Sequence, residues 1–191
     1  MPRSGLTPHV VVGEAARVAD NVGLDRLTLA AVAQRLGVAV PSLYKHVPGL
    51  DELQRRLAVA ALRDLATALS KAAVGRARGD ALRAMGAAYR DFARLHPGRY
   101  AATLRAPAAG DTEHEAAAAS VLTVVFAVLA GYGLAGPDAV DATRCLRSAL
   151  HGFVALQSAG GFELPQDVDR SFARLLDMLD TAFADWDAGR R

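Results

Sequence analysis

The sequence predicts an all-α protein. Three observations carry this expectation: apolar residues recur at helical spacing along most of the chain, Ala and Leu dominate while β-branched residues are sparse outside short runs, and no apolar/polar alternation is convincing. A chain of 191 residues can bury a respectable core, as one domain or as a small domain packed on a larger one. The turn signals divide it into a head, 1–50, and a body, 51–191.

Within the head, Thr7 to Val22 has the length of a first helix, and Thr28 to Val47 (TLAAVAQRLGVAVPSLYKHV) lays two short helices around a Gly-containing turn. Thr28 is an N-cap residue whose hydroxyl can accept a backbone N–H of the turn it opens, and Leu29, Val32, Ala33 and Leu36 then share one face. Gly37 ends that helix. The next is expected from Pro41 to Val47, because proline is tolerated in a first turn where its missing N–H would have no intrahelical partner. Leu43 and Val47, four apart, can hold this helix on the core, while Ser42, Tyr44, Lys45 and His46 supply polar groups. This is the layout of a helix-turn-helix, whose second helix offers its N-terminal residues to the major groove.

The residue types suit such contacts. Lys45 reads as a phosphate contact, and Tyr44 as a hydroxyl donor to phosphate or as a ring packed within the head. Ser42 can reach a base or a phosphate, and Val40 and Pro41 can touch a thymine methyl. His46 is open between phosphate contact and a structural hydrogen bond, and Thr28 can hold a phosphate as well as cap its helix.

In the body, Pro48-Gly49-Leu50 breaks the chain and Asp51 and Glu52 open a long helix to about Ala72. Asp80 caps a helix to Leu95, stopped by His96-Pro97-Gly98, and Arg99 to Arg105 makes a short helix. A further helix runs from Thr112–Glu115 to about Ala130, another from Pro137-Asp138 to near Gly160, and the last from Asp167 to Trp186. The uncharged run 116–136 is about long enough to cross a bilayer, but its many alanines, terminal glycines and acidic flanks favour a central helix buried on all sides. The expectation is no membrane.

The formal net charge is +2, and its distribution is informative. Seven Lys/Arg, including Arg3, face five acids up to Ala60, and the rest of the chain balances fifteen against fifteen. So modest a basic bias leaves part of any phosphate contact to backbone N–H groups and hydroxyls. Arg83, Arg90 and Arg94 share one side of a helix and read as a solvated face, with recognition of an acidic ligand or flanking DNA as the other reading. The single Cys145 cannot form an intrachain disulfide; the simplest reading is a small apolar core residue in a reducing compartment. Pro2-Arg3-Ser4 is not followed by the apolar stretch of a secretion signal, so the expected location is cytoplasmic.

LTLAAVAQRLGV, PSLYKHV and PGLDEL together resemble the DNA-binding domain of the TetR family of one-component transcriptional regulators, and Ser148 to Phe153 is similar to the "WHG" type of that family's ligand-binding domain, with Arg147 at the Trp position. The resemblance implies an N-terminal three-helix helix-turn-helix DNA-binding domain followed by an α-helical ligand-binding and dimerisation domain. It implies a homodimeric repressor on a near-palindromic double-stranded DNA operator, released by a small molecule. The family's Lys before the fourth helix is replaced here by Leu50. The scarcity of polar residues in the body favours an apolar or amphipathic ligand, with Met85, Tyr89, Phe92, Tyr100, Phe126 and His151 as candidate lining. The last two helices carry apolar stripes, and the resemblance assigns Leu146, Leu150, Phe153, Phe172, Leu175, Leu176, Leu179 and Phe183 to a dimer interface; periodicity alone equally allows an intrachain hairpin.

No enzyme, cofactor or metal is expected. Glu113-His114-Glu115 reads as a charged helix start, since adjacent residues on a helix point apart and no second His lies at ligand spacing. Cys145 and His151, six apart, fall on roughly opposed faces, and neither a Gly-rich phosphate loop nor a Ser/His/Asp constellation occurs.

Overall fold

The computed structural model describes residues 5–186, so Arg3 lies outside the described residues. Among these are nine α-helices and no strand: α1 (Pro8–Val22), α2 (Leu29–Leu36), α3 (Val40–Leu43), α4 (Leu50–Ala73), α5 (Arg78–Leu95), α6 (Pro97–Ala102), α7 (Thr112–Ala130), α8 (Gly136–Ser158) and α9 (Val168–Ala184). They form two compact units. The first takes the chain through Asp64 together with Leu95–Ala118; the second takes Leu65–Arg94 and the chain from Ala119.

The first unit is built on the head helices. Val11, Ala15, Val18 and Ala19 of α1 pack with Val32 and Ala33 of α2, Leu43, Val47, and Leu53, Leu57, Ala58 and Ala61 of α4. From α6, Ala102 joins this core. α6 lies so close to α1 that a Cβ at Gly98 would fall 2.1 Å from the Ala19 carbonyl carbon. Beside it, Asp20 accepts from the Arg99 backbone N–H (2.9 Å) and from its Nε (2.8 Å). A 3-10 turn, Leu24–Arg26, which the sequence reading did not foresee, fills the passage from α1 to α2.

In the second unit Leu82, Met85, Tyr89 and Phe92 form the buried face of α5, as their spacing predicts. The opposite face departs from expectation. Arg90 is only 12% exposed, stacks over the rings of Phe153 and Phe172, and donates to Gln157 and Asp169. Arg83 donates to Asp177 and Asp180 of α9. Arg83 and Arg90 are therefore interhelical ties, Arg90 shielded and Arg83 still exposed, and Arg94 is exposed as a solvated face requires. Tyr132 donates to Asp180, and its hydroxyl is held above the ordinary tyrosine range by burial and that carboxylate.

Several boundaries shift for local reasons. α3 covers Val40–Leu43 rather than 41–47, and Tyr44 to His46 form a turn. Pro48 disfavours helical backbone at Val47, so the segment cannot continue as a helix beyond that turn. α5 starts at Arg78, with Asp80 in its first turn rather than at its cap, and Pro97 opens α6 instead of preceding it. α9 ends at Ala184, short of Trp186.

Two further expectations are corrected. α7 is not buried on all sides: Ala116, Ala119, Leu122, Thr123, Phe126, Ala127 and Ala130 are exposed along one face, and by length and composition this helix could span a membrane. Cys145 is exposed, because it lies to one side of the buried Ala139, Ala142, Leu146 and Leu150 stripe of α8. Glu113 and Glu115 stand exposed in the first turn of α7, a charged helix start as read, but the residue between them is not solvated. His114 is completely buried, both ring nitrogens lack a hydrogen-bonding protein partner, and Asp111 Oδ2 stands 3.8 Å from Nδ1.

Candidate nucleic-acid interface

The helix-turn-helix is assembled from local rules. Thr28 Oγ1 accepts from the Ala31 N–H (3.1 Å), capping α2 as its extended backbone predicts. Gly37 closes α2 in the left-handed region (φ 66°), where a side chain would be strained, and its N–H together with that of Val38 returns to the carbonyls of the last turn. The chain then enters α3 with Pro41 in its first turn.

Leu43 and Val47 are completely buried and anchor this segment from below. Above them, Tyr44 is 54% exposed, Lys45 and Pro41 are exposed, and Val40, Ser42 and His46 are half-buried. Six of the seven residues singled out from sequence thus lie on one short segment whose polar side chains are not consumed by the core, and the seventh, Thr28, is exposed at the start of α2. The Tyr44 ring is not packed within the head.

One contributor was not legible in the sequence. Arg56 of α4 donates through Nη1 to the His46 carbonyl (2.9 Å) and through Nε to Glu52 (2.6 Å), which ties the end of the recognition segment to the following helix. Arg55 reaches the same carboxylate. The Arg55 hydrogen bond, reinforced by Arg56 and opposed by burial, holds Glu52 down at about 2.

Most cations of the head are engaged. Arg17 and Arg35 both donate to Glu14, a buried carboxylate on α1 (2.8 and 2.9 Å). Burial pushes the Glu14 carboxyl up, but the two guanidinium partners outweigh it and the group stays below the ordinary glutamate range. Arg26 donates to the Val22 carbonyl. Among the described residues of the head, Arg26 and Lys45 are the Lys/Arg side chains without an ion pair, and both are exposed. The surface therefore offers a lysine ammonium, a phenol and hydroxyls, not a broad basic patch.

Residues 12–57 match the family described as "Bacterial regulatory proteins, tetR family", and residues 82–179 match "Tetracyclin repressor-like, C-terminal domain". The chain belongs to the TetR family. A helix-turn-helix-type transcriptional regulator of Mycobacterium tuberculosis, Rv0681, itself uncharacterised, is 43% identical over 156 residues, 81% of this chain and 72% of its own. The uncharacterised regulator YobS of Bacillus subtilis is 35% identical over 173 residues, 90% of each chain. A solved structure of a protein of unknown function from Rhodococcus sp. RHA1 superimposes with a TM-score of 0.79 at 23% identity, covering 96% of this chain and 98% of that one, and so shares the fold.

This TetR-family chain is a transcriptional regulator with a DNA-binding head, and its body places the remaining sequence candidates as follows. Met85, Tyr89 and Phe92 lie on one buried face of α5 in the second unit; His151 on α8 is half-buried, and Phe126 is on the exposed face of α7. Tyr100 is buried on α6 in the first unit, so the six do not all fall in one compact unit. None of them borders the open cleft of about 470 Å³ lined by Ala77 to Asp80, Arg83, Asp180, Thr181 and Ala184. Of the residues assigned to a dimer interface, Leu146, Leu150, Phe172, Leu176 and Phe183 are buried by their own chain, as in an intrachain hairpin, while Phe153, Leu175 and Leu179 are half-buried. What α8 and α9 leave exposed includes Val140, Cys145, Arg147, Leu156, Arg174 and Met178.

Proposed function

We propose that this TetR-family regulator is a repressor acting in the cytoplasm as a homodimer, each copy placing the segment Val40–His46 in a major groove of a near-palindromic operator. The observation that carries the reading is the division of labour in that segment: Leu43 and Val47 are wholly buried while Tyr44 and Lys45 stand out of the core. A segment anchored from one side and polar on the other is suited to groove docking. Residues 1–50 act as the DNA-binding domain and 51–191 as the ligand-binding and dimerisation domain. The exposed residues of α8 and α9 are the natural surface for a second copy, because the larger apolar side chains of those helices are already used within the chain.

A small apolar or amphipathic molecule in the body, bordered by the α5 face of Met85, Tyr89 and Phe92, releases the operator. It acts by binding the two conformations unequally, and α4, which runs from the first unit into the second, carries the response. The test is a titration against DNA from around the chain's own gene, at two salt concentrations with excess competitor. Specific retention weakened by salt is expected. Tyr44→Ala with Lys45→Ala abolishes that retention while leaving helicity and oligomeric state intact; unchanged affinity in the double variant sinks the assignment of the segment.

A further inference from the structure

The recognition segment is poorly equipped to hold its own orientation. α3 has four residues, Ala39 at its N-cap makes no side-chain hydrogen bond, and the turn after it ends against Pro48. Two buried apolar anchors fix its depth but leave rotation about the line joining them less constrained. The carbonyl of His46, at the far end, is the point where a directional bond is made, by Arg56.

That bond belongs to a longer series. The Arg56 Nε donates to Glu52 Oε1 (2.6 Å), Arg55 Nε donates to Glu52 Oε2 (2.7 Å), and Arg55 Nη1 donates to both oxygens of Asp111 (3.1 and 3.2 Å). Arg55 Nη2 donates to Glu113 on the first turn of α7, and Arg63 of α4 donates to the other oxygen of that carboxylate. Charge-assisted bonds from planar guanidinium groups are directional, and these groups are mostly shielded: Arg55, Glu52 and Asp111 are each a quarter exposed or less. The series therefore runs without a break from the recognition segment to the start of α7, inside the first unit.

We propose that Arg56 and Glu52 are positioning residues that set the angle of the recognition segment, and that Arg55 makes this angle depend on the placement of Asp111 and Glu113. The inference rests on the reading of Val40–His46 as the DNA-contacting segment. A shift of the first turn of α7 withdraws two acceptors from Arg55, which then competes with Arg56 for Glu52 and frees the His46 carbonyl to turn. The link is a set of contacts with two arrangements, which is what coupling between sites requires.

The test uses the full-length chain and a duplex enriched by it from randomised DNA, with poly(dI-dC) as the nonspecific probe. Arg56→Gln loses roughly tenfold or more of its affinity for the enriched duplex, the loss of one charged hydrogen bond. Its affinity for poly(dI-dC) and its melting temperature stay near those of the parent, and Arg56→Lys, which keeps a donor, recovers part of the loss. Equal losses on both DNAs, or none, overturn the positioning role. For the link, Asp111→Asn weakens enriched-duplex binding in the parent and weakens it less in Arg56→Gln; additive effects, or no effect of Asp111→Asn, overturn it. Failure of the parent to enrich any duplex would instead remove the DNA reading on which both parts stand.

Discussion

Glu52 accepts from two arginines, and this makes acid a probe of the head. Its carboxyl lies at about 2 against an ordinary 4.5, because Arg55 and Arg56 stabilise the charged form. A folded value below the unfolded one gives stability that is complete above about pH 5 and lost as pH falls toward 2, worth up to about 3 kcal/mol. Urea midpoints of the parent and Glu52→Gln should thus differ at neutral pH and converge between pH 5 and 2; a difference constant across that range would show that Glu52 is not so held. At this scale the sequence is legible where the chemistry is local. Thr28 and Gly37 act within four residues of themselves, so cap and stop could be read directly. Arg56 to His46 spans ten residues and Arg55 to Asp111 fifty-six, and nothing in the spacing of a chain announces such pairs.

Among the elements, the contact of α6 with α1 is the least tolerant. A methyl group at Gly98 would meet backbone atoms of Ala19 and Asp20, whereas one at Gly86 would meet the side chain of Leu176, which can rotate. Gly98→Ala should cost roughly 2–3 kcal/mol, and Gly86→Ala less, in chemical denaturation. Comparable losses would mean that α6 can slide. Helix existence was legible from apolar period in the amphipathic helices, and so was the buried face of α5. What period cannot give is which neighbour covers a face. Leu146, Leu150, Phe172 and Leu176 read equally as an interchain or an intrachain stripe, and only three-dimensional packing shows that they are buried within one chain. For the same reason the open face of α7 was hidden, since an uncharged helix has no polar side to mark as exposed.

For the whole molecule, the small supply of uncommitted positive charge sets how DNA binding responds to salt. With Arg26 and Lys45 as the described Lys/Arg side chains free of ion pairing in each head, the proposed dimer neutralises few phosphates. Its log–log dependence of affinity on salt should have a slope no steeper than about −4. Fluorescence anisotropy across a salt series checks this; a slope near −8 would show that Arg17 and Arg35 leave Glu14 for the backbone. The all-α class and the family resemblance were legible over the head because a helix-turn-helix is a local motif with fixed turn chemistry. The body was legible only as a succession of helices, and its division of residues between two compact units follows from contacts such as those of Arg90 and Arg99, made across sixty residues or more.

The solitary thiol also has a practical use. Cys145 is the chain's one cysteine and is exposed on α8 within one chain, on the surface proposed for a second copy, so the rate at which it reacts with a maleimide reads out whether that surface is covered. Dilution that separates the copies would then quicken the reaction, and a rate independent of concentration would place the thiol outside the contact.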